Sequence, residues 1–389
     1  MDSAEREGLR PKGNVPNLRF PEFVGEWHSF LINEICSEFK SGKNIKADSI
    51  SENGEYPVFG GNGLRGYTAS YNHEGLYVLI GRQGALCGNV HSVNGKTYIT
   101  EHAIAAAGNE KSDTSFLHYL FIKMNLGQYS DQSAQPGLAV NNLLKLKVLL
   151  PPISEQKKIA KLLSLLDERI ATQNKIIDKL QSLIKGLNDF LYTQYGGEVL
   201  TSFAELGTSY SGLSGKSAQD FGSGKPFITY LNVYSNNVIK ENDFQYVAIK
   251  DDEKQNVVKY GDVLFTLSSE TPEEVGVGSV YLGKEKVYLN SFCFGIHITN
   301  TEVAFPPYLS YYVSLTAFRK FIYPYAQGST RFNLCKADFE KASIKLPTLA
   351  DQKRIYSILS HIDNKIITER QMLDLYNSQK QYLLRQMFI

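Results

Sequence analysis

The sequence has few cysteines, no recognisable metal motif and no long apolar run. Its four cysteines (Cys36, Cys87, Cys293 and Cys335) are scattered without a Cys-x-x-Cys pair, so neither a zinc site nor a disulfide framework is expected. The seven histidines show no HxxxH or HExxH spacing, and no nucleophile–base arrangement is evident. No apolar stretch reaches the length of a membrane span, and the first residues lack the apolar core of a signal peptide. The sequence therefore predicts a soluble, cytoplasmic, reduced protein without a metal or cofactor.

The chain also lacks a basic excess. Lys and Arg number 41 against 40 Asp and Glu, a net charge of +1. Residues 20–150 carry 10 basic and 12 acidic side chains, and residues 200–346 carry 14 and 15. A protein that binds nucleic acid alone usually has a basic surplus. If this chain binds DNA, its positive charge is clustered on one face or supplied by a partner.

One stretch of the sequence is written twice. Residues 150–192 return as residues 346–388, and 13 of the 43 aligned positions are identical. Each copy opens with Leu-Pro and then runs some 35 residues without proline, which predicts one long helix. The chain thus reads as head, helix, head, helix, an internal duplication with diverged heads. We expect an arm at 1–17, heads at 18–149 and 196–345, and helices at 150–195 and 346–389.

Both long helices carry a seven-residue apolar pattern. In the first copy the e positions, such as Leu163 and Ile170, are apolar as well as most a and d positions, so the stripe is wider than a two-strand seam. Each helix needs a partner, and its twin is the obvious one. The side chains predicted to pack the helix pair are Ile159, Leu162, Leu166, Ile176, Leu180, Leu183, Leu187, Ile355, Ile358, Ile362, Met372, Tyr376 and Leu383.

Chain geometry predicts the orientation of the pair. Compact domains usually have their termini close together, so the second head should return the chain to the end of the first helix. The second helix then runs back along the first. The predicted fold is α+β: two strand-rich α/β heads joined by two long antiparallel coiled-coil helices, with pseudo-twofold internal duplication.

Several segments resemble the specificity subunits of type I restriction–modification enzymes. They are VPNLRFPEFVGEW at 15–27, GKPFITYLNV at 224–233, AQGSTRFNL at 326–334, and the repeated helix that begins LPPISEQKKIAKLL. The resemblance implies that the heads are target-recognition domains, each reading one half of a split DNA sequence. It also implies that the helices set the spacer and dock two methyltransferase (modification) subunits, that restriction subunits join this core, and that the chain itself is not an enzyme.

Two other functions fit parts of the sequence. Phe59–Gly63 fits FxGxG, the glycine turn with which methyltransferases cradle S-adenosylmethionine, and Phe305-Pro306-Pro307-Tyr308 sits where [DN]PPY would be expected. Phe305 cannot hold the target amine, and the residues after Gly63 do not look like a helix, so a stand-alone adenine methyltransferase is the second choice. A purely structural coiled-coil scaffold is the third.

Candidate DNA-reading residues lie in polar, glycine-rich turns of both heads. Asn and Gln can pair bidentately with adenine and Arg with guanine, although an ordinary solvated turn is about equally expected for each residue. The candidates in the first head are Asn62, Arg65, Tyr67, Arg82 and Gln83. Those in the second head are Lys216, Lys225, Thr229, Tyr230, Asn232, Gln327, Ser329, Thr330 and Arg331.

Overall fold

The computed structural model describes residues 13–130, 137–240 and 243–389. The chain divides into two compact units, residues 1–174 with 371–389, and residues 175–370. Most of the arm predicted at 1–17 lies outside the described residues. Within the described part of the chain, no helix is both long and apolar enough to cross a membrane.

Within residues 13–130, 137–174 and 371–389, the first unit contains ten strands in three sheets. The strands are β1 His28–Leu31, β2 Cys36–Ser41, β3 Tyr56–Gly60, β4 Gly63–Thr68, β5 His73–Glu74, β6 Tyr77–Gly81, β7 Val90–Val93, β8 Lys96–Ile99, β9 Ala103–Gly108 and β10 Lys147–Leu150. Their orders are β1-β10, β2-β9-β6-β7 and β4-β3-β8-β5, and only the β3–β8 pair among these is parallel. The α-helices are α1 Ile32–Ile35, α2 Thr114–Met124, α3 Val140–Leu143 and the first half of α4 Ile153–Tyr195.

The second unit repeats this plan with more strands. They are β11 Val199–Thr201, β12 Gly207–Ser211, β13 Phe221–Ile228, β14 Val238–Ile239, β15 Gln245–Val247, β16 Val263–Thr266, β17 Ser268–Ser269, β18 Gly278–Tyr281, β19 Tyr288–Leu289, β20 Cys293–Ile298, β21 Ala326–Gln327, β22 Phe332–Leu334 and β23 Ile344–Leu346. The sheets are β11-β23, β12-β20-β16-β18-β14, β15-β13-β19 and β17-β22-β21. The helices are α5 Phe203–Leu206, α6 Tyr230–Ser235, α7 Pro306–Tyr312, α8 Thr316–Ile322, α9 Lys336–Lys341 and α10 Leu349–Gln386. The second half of α4 also belongs to this unit, and α10 from residue 371 onward belongs to the first unit.

Local sequence signals explain the ends of the long helices. Proline cannot continue a preceding helix but is tolerated at a helix start, and α4 follows Pro152. It ends before Gly197, whose φ of +92° favours glycine. At the start of α10, the hydroxyl of Thr348 accepts a hydrogen bond from the Asp351 N–H at 3.2 Å, an N-cap that satisfies one free backbone donor.

In each unit the two long helices are antiparallel. In the first unit Asp167 of α4 forms an ion pair with Lys380 of α10 at 2.5 Å, and Leu163 shares a core with Met387. In the second unit the late part of α4 meets the early part of α10, because the Arg354 guanidinium lies 5.1 Å from the ring centre of Tyr195. The predicted direction of the helix pair is therefore confirmed within each unit.

The phase of the seven-residue pattern differs from the prediction. The buried face of α4 passes through Ile159, Leu163, Leu166, Gln173 and Ile177, which are the predicted a and e positions rather than a and d. The same holds for α10, where the buried side chains at a and e positions include Ile355, Leu359, Ile366, Glu369, Leu383 and Met387. From Leu163 onward the e positions of α4 are all apolar, whereas its d positions include Arg169, so the side of the α4 stripe that faces inward is the one without a charge.

Four side chains predicted to pack the helices are therefore corrected. Ile176, Leu183, Ile358 and Met372 each occupy d positions and are exposed, Leu183 to 51%. Of the other nine, Ile159, Leu166, Ile355 and Leu383 are buried, and Leu162, Leu180, Leu187, Ile362 and Tyr376 are half-buried. The exposed d positions form an apolar flank along the outside of the buried face.

A buried glutamine fixes each helix start to its head. The side chain of Gln156 accepts from the Asp113 N–H at 2.9 Å and donates to the carbonyl oxygens of Lys111 and Pro151, both at 2.9 Å. Gln352, 196 residues later, makes the same three bonds in the second unit: it accepts from the Phe305 N–H and donates to the carbonyls of Val303 and Pro347. These identical residues of the repeat are therefore structural anchors.

We expect Gln156→Ala to destabilise the first unit by roughly 2–4 kcal/mol, because buried backbone groups left without a partner each cost about 1–3 kcal/mol. Lys157→Ala, at the neighbouring exposed position, is the matched control and should change little. Urea denaturation followed by tryptophan fluorescence reports on this unit, since Trp27, the single tryptophan, lies in its core. Equal midpoints for the two variants would contradict the anchoring role.

Candidate nucleic-acid interface

Three separate segments of the first head meet where β6 ends. The Arg82 N–H donates to the carbonyl of His102 at 2.9 Å, and the Arg82 carbonyl accepts from the Leu138 N–H at 2.9 Å. Gln83 forms an isolated antiparallel bridge with Gly137. The backbone thus ties the end of β6, the residue before β9 and the segment before α3 into one junction, which we call the head-1 junction.

Two glycines let a fourth segment approach the same place. A Cβ atom at Gly61 would lie 2.7 Å from the carbonyl oxygen of His102 and 3.0 Å from Cα of Gly81, distances that a side chain could not occupy. The β3–β4 turn is therefore pressed against the junction by close backbone packing. It carries Asn62 and leads to Arg65.

The structure consequently brings Asn62, Arg65, Arg82 and Gln83 to the head-1 junction, whereas Tyr67 lies further along β4, opposite Pro57. Asn62, Arg65 and Gln83 are exposed, and Arg82 and Tyr67 are half-buried. The methylene groups of Arg65 lie over Gly60, since a Cβ at that glycine would lie 2.9 Å from Cδ of Arg65. The amide groups of Asn62 and Gln83 and the guanidinium groups of Arg65 and Arg82 therefore lie near the ends of β3 and β6.

The second head has the same backbone junction with different side chains. The Leu267 N–H donates to the Phe292 carbonyl at 2.9 Å, and the Leu267 carbonyl accepts from the Leu334 N–H at 2.8 Å. Ser268 pairs with Asn333, as Gln83 pairs with Gly137 in the first head. Leu267, Phe292 and Leu334 thus occupy the places of Arg82, His102 and Leu138, and we call this arrangement the head-2 junction.

Four of the predicted residues lie on the hairpin next to the head-2 junction. Gln327, Ser329, Thr330 and Arg331 are all exposed in or beside the turn between β21 and β22. The Arg331 guanidinium lies 5.6 Å from the ring centre of Phe292, a cation–π contact. The turn therefore offers hydroxyl, amide and guanidinium groups to a ligand.

Three other predictions for the second head are corrected, because the polar groups concerned are used inside the head. Lys216 is paired with Glu253 at 2.5 Å, its side chain is 8% exposed, and its hydrogen bond lowers the pKa of Glu253. Thr229 caps α6 by accepting from the Asn232 N–H at 3.1 Å, while the buried Asn232 side chain accepts from Thr229 and donates to Asp243. These side chains stabilise the fold.

The two remaining predicted residues of the second head, Tyr230 and Lys225, differ from each other: Tyr230 supports the junction and Lys225 is exposed. The Tyr230 hydroxyl donates to the carbonyl of Ser268 at 2.8 Å, which ties α6 to the head-2 junction, and burial raises the pKa of this tyrosine. Lys225 is exposed on β13. Tyr230 therefore supports the junction from within, and Lys225 remains a candidate for a phosphate contact.

A carboxylate with a histidine and a tyrosine occurs in each head, buried in the second head and half-buried in the first. Asp262 accepts from the Tyr210 hydroxyl at 2.7 Å, from the Lys259 N–H at 2.8 Å and from His297 at 2.8 Å, and burial raises its pKa. Glu38 lies beside His73 and Tyr77 at 3.0 and 3.2 Å. Asp262 directly precedes β16, at the end of that strand opposite the head-2 junction. The cluster of Asp262, Tyr210 and His297 therefore stabilises the sheet and is not part of the junction.

The glycine turn that resembles an S-adenosylmethionine loop has a different structure. Phe59–Gly63 spans the end of β3 and the turn into β4, so a strand follows it where the methyltransferase loop requires a helix. Phe305 is the N-cap of α7, and its N–H is held by Gln352. The methyltransferase interpretation of these fragments is therefore wrong.

The match to a known family now becomes decisive. The profile of the type I restriction modification DNA specificity domain matches residues 25–182 and again residues 207–375. The chain belongs to the type I DNA specificity family. Each copy of the specificity domain covers one head and much of one long helix, so the chain carries two target-recognition domains.

Relatives and a solved structure agree with this assignment. Over 154 residues the chain is 44% identical to the EcoprrI specificity subunit of Escherichia coli, covering 39% of this chain and 38% of that one. Over 379 residues it is 24% identical to a putative specificity subunit of Haemophilus influenzae, covering 92% and 93%. The S subunit of a type I system from M. genitalium superposes with a TM-score of 0.60 at 15% identity, covering 96% and 99%, which shows the shared fold.

Sequence reasoning missed two residues of this specificity protein's junctions. His102 contacts the side chain of Gln83 at 3.2 Å, and Phe292 lies under Arg331. Neither residue is among the sequence-predicted DNA-reading residues, because neither lies in the polar, glycine-rich turns that predict base contacts. His102 directly precedes β9, and Phe292 directly precedes β20. This shared position before a strand of the central sheet is the signal that could have identified them.

Proposed function

We propose that each head reads one half of a bipartite DNA target through its junction. The observation that carries the proposal is the duplication of one backbone junction with different exposed side chains, because a fixed frame with variable polar groups suits two different half-sites. In the first head Arg65 and Arg82 suit guanine, and Asn62 and Gln83 suit adenine. In the second head Arg331 and its neighbouring hydroxyls have the corresponding roles.

The long helices have the second role in this proposal. α4 leads from the first unit into the second and α10 leads back, so their length determines how far apart the two half-sites lie. An unread spacer separates the half-sites. The apolar seven-residue pattern keeps that length constant, since a shift of either helix would expose its buried face.

The exposed apolar flanks are the proposed docking sites for two methyltransferase subunits. In the second unit Ile176, Leu183 and Phe190 recur every seven residues of α4, and Phe190 is 61% exposed. In the first unit the exposed apolar residues at the same spacing on α10 are Leu375 and Tyr382, which occupy g positions rather than d positions. Apolar rows on an otherwise polar helix surface are typical of protein interfaces. Each unit has one such flank, and each flank suits the docking of one methyltransferase subunit.

Catalysis belongs to the partners in this account. The chain supplies specificity, the methyltransferase subunits modify an adenine, and restriction subunits join to cleave. No disulfide bond joins Cys36, Cys87, Cys293 and Cys335, all of which lie among the described residues. This suits a reducing compartment, and we place the complex in the cytoplasm with its DNA.

The isolated chain should bind DNA weakly. Both heads carry slightly more acidic than basic side chains, and non-specific DNA affinity comes mainly from phosphate neutralisation. We expect the purified chain to bind its target at micromolar concentration or weaker, and the complex with methyltransferase subunits to bind at nanomolar concentration. Fluorescence anisotropy at physiological salt measures both. Nanomolar, sequence-selective binding by the chain alone would contradict this expectation.

A further inference from the structure

The backbone displays one side chain at the same place in both heads. The N–H of Thr100 donates to the Phe59 carbonyl at 2.9 Å, and the N–H of Ala103 returns to the Thr100 carbonyl at 3.1 Å. His102 stands between these two bonds, and its own carbonyl accepts from Arg82. These three backbone hydrogen bonds therefore fix the position of His102 at the head-1 junction.

Phe292 is held by the same set of bonds in the second head. The N–H of Asn290 donates to the Ile228 carbonyl at 2.9 Å, and the N–H of Cys293 returns to the Asn290 carbonyl at 3.0 Å. In addition, the Phe292 N–H donates to the side chain of Asn290 at 2.9 Å. The ring is thus carried on a turn whose backbone is fixed on both sides.

Both rings point to solvent beside groups suited to reading bases. The side chain of His102 is 47% exposed, with its Nε2 3.2 Å from Glu101 Oε1 and its Nδ1 3.2 Å from Gln83 Oε1, so the ring face is the part left for a ligand. Phe292 is 54% exposed and lies next to Arg331. An apolar ring gains roughly 1.5–3 kcal/mol on burial, so a rigid, half-exposed phenylalanine on a polar turn is most stable when a ligand covers it.

We infer that His102 and Phe292 are DNA-contacting residues, each packing its ring against a nucleotide of the half-site that its own head reads. This inference rests on the proposed DNA-reading function of the heads. Planar rings stack on bases or pack against a thymine methyl group, which adds apolar contact area to the hydrogen bonds that the neighbouring amide and guanidinium groups can donate. Gln83 and Arg331 then hold the rings in place and donate to base edges.

The test uses the full chain in complex with its methyltransferase subunits and duplexes that carry the motif methylated by the wild type. His102→Ala should weaken binding about tenfold or more and allow methylation at duplexes altered in the half-site of the first head only. Phe292→Ala should do the same for the other half-site. Phe292→Tyr, which keeps the ring, should behave as the wild type.

Two matched controls separate contact from folding. His28 is an exposed histidine of the first head on β1, and Tyr260 is an exposed aromatic residue at the opposite end of β16 from the junction. His28→Ala and Tyr260→Ala should leave affinity and motif unchanged, and all variants should keep the wild-type melting temperature.

The outcomes distinguish the inference from the function beneath it. If the wild-type complex has a split motif but both alanine variants retain its affinity and stringency, the ring contacts are wrong and the proposed function stands. If the variants weaken binding to specific and random duplexes equally, the rings do not contact the half-sites. A wild-type complex without any split motif overturns both.

Discussion

Replacing residues 20–145 with the first head of another family member is expected to change one half of the recognised motif and leave the other half intact. The first head builds its own junction from its own strands, and its core closes on α4 and the end of α10 within one unit. The anchor Gln156 contacts only backbone atoms of the head, so a grafted head of different sequence can accept it.

The graft should keep one side chain. Tyr119 of α2 donates to Asp167 at 2.9 Å, and the second unit repeats this contact between Tyr311 and Asp363. A graft that retains this tyrosine preserves the hydrogen bond between the head and the long helix. The control is the reciprocal exchange of the second head, which should change the other half-site. Methylome sequencing reads both results, and a graft that changes both half-sites would contradict independent reading.

A seven-residue insertion into both long helices, after Asn174 and after Arg370, is expected to lengthen the unread spacer without changing the half-sites. Seven residues add about 10 Å to a helix, which corresponds to about three base pairs of duplex at ~3.4 Å each. Each added base pair also rotates one half-site relative to the other by roughly 36° about the DNA axis. This rotation works against a spacer increase of the full three base pairs. We therefore expect a spacer longer by about one to three base pairs.

The matched control is a five-residue insertion at the same places. It turns the following half of each helix by about 140°, so the buried face that runs through Leu166 and Ile177 faces solvent and the chain should fail to assemble. The seven-residue insertion keeps that face aligned. A lengthened protein that is folded and active, yet recognises the original spacer, would show that the helices do not set the distance.

Much of the architecture follows from the sequence because it rests on strong, repeated signals. A proline-free stretch of some 35 residues after Leu-Pro can only be a long helix, and the duplication predicts its twin. The phase of the apolar pattern was harder to predict, since three of seven positions are apolar and hydrophobicity alone does not choose between them. Arg169 at a d position carried the missing information: burying an unpaired charge is unfavourable, so that flank faces outward.

The DNA-reading residues were less predictable because their chemistry is ambiguous in one dimension. Lys216 and Arg331 both occur in glycine-rich turns, yet a carboxylate 37 residues away at Glu253 neutralises the first, and the second lies over Phe292. Threonine before a short helix is as suited to an N-cap as to a base contact, and Thr229 has the former role. The pairing of distant segments decides such cases, and local composition does not encode it.

The most direct test of the central claim is methylome sequencing of cells that express this chain with its methyltransferase subunits. The account predicts a single split motif: two short half-sites with a methylated adenine, separated by a spacer of fixed length whose sequence is not read. Loss of either head's junction should remove the requirement for one half-site. An unsplit motif, or methylation that does not depend on this chain, would contradict the account.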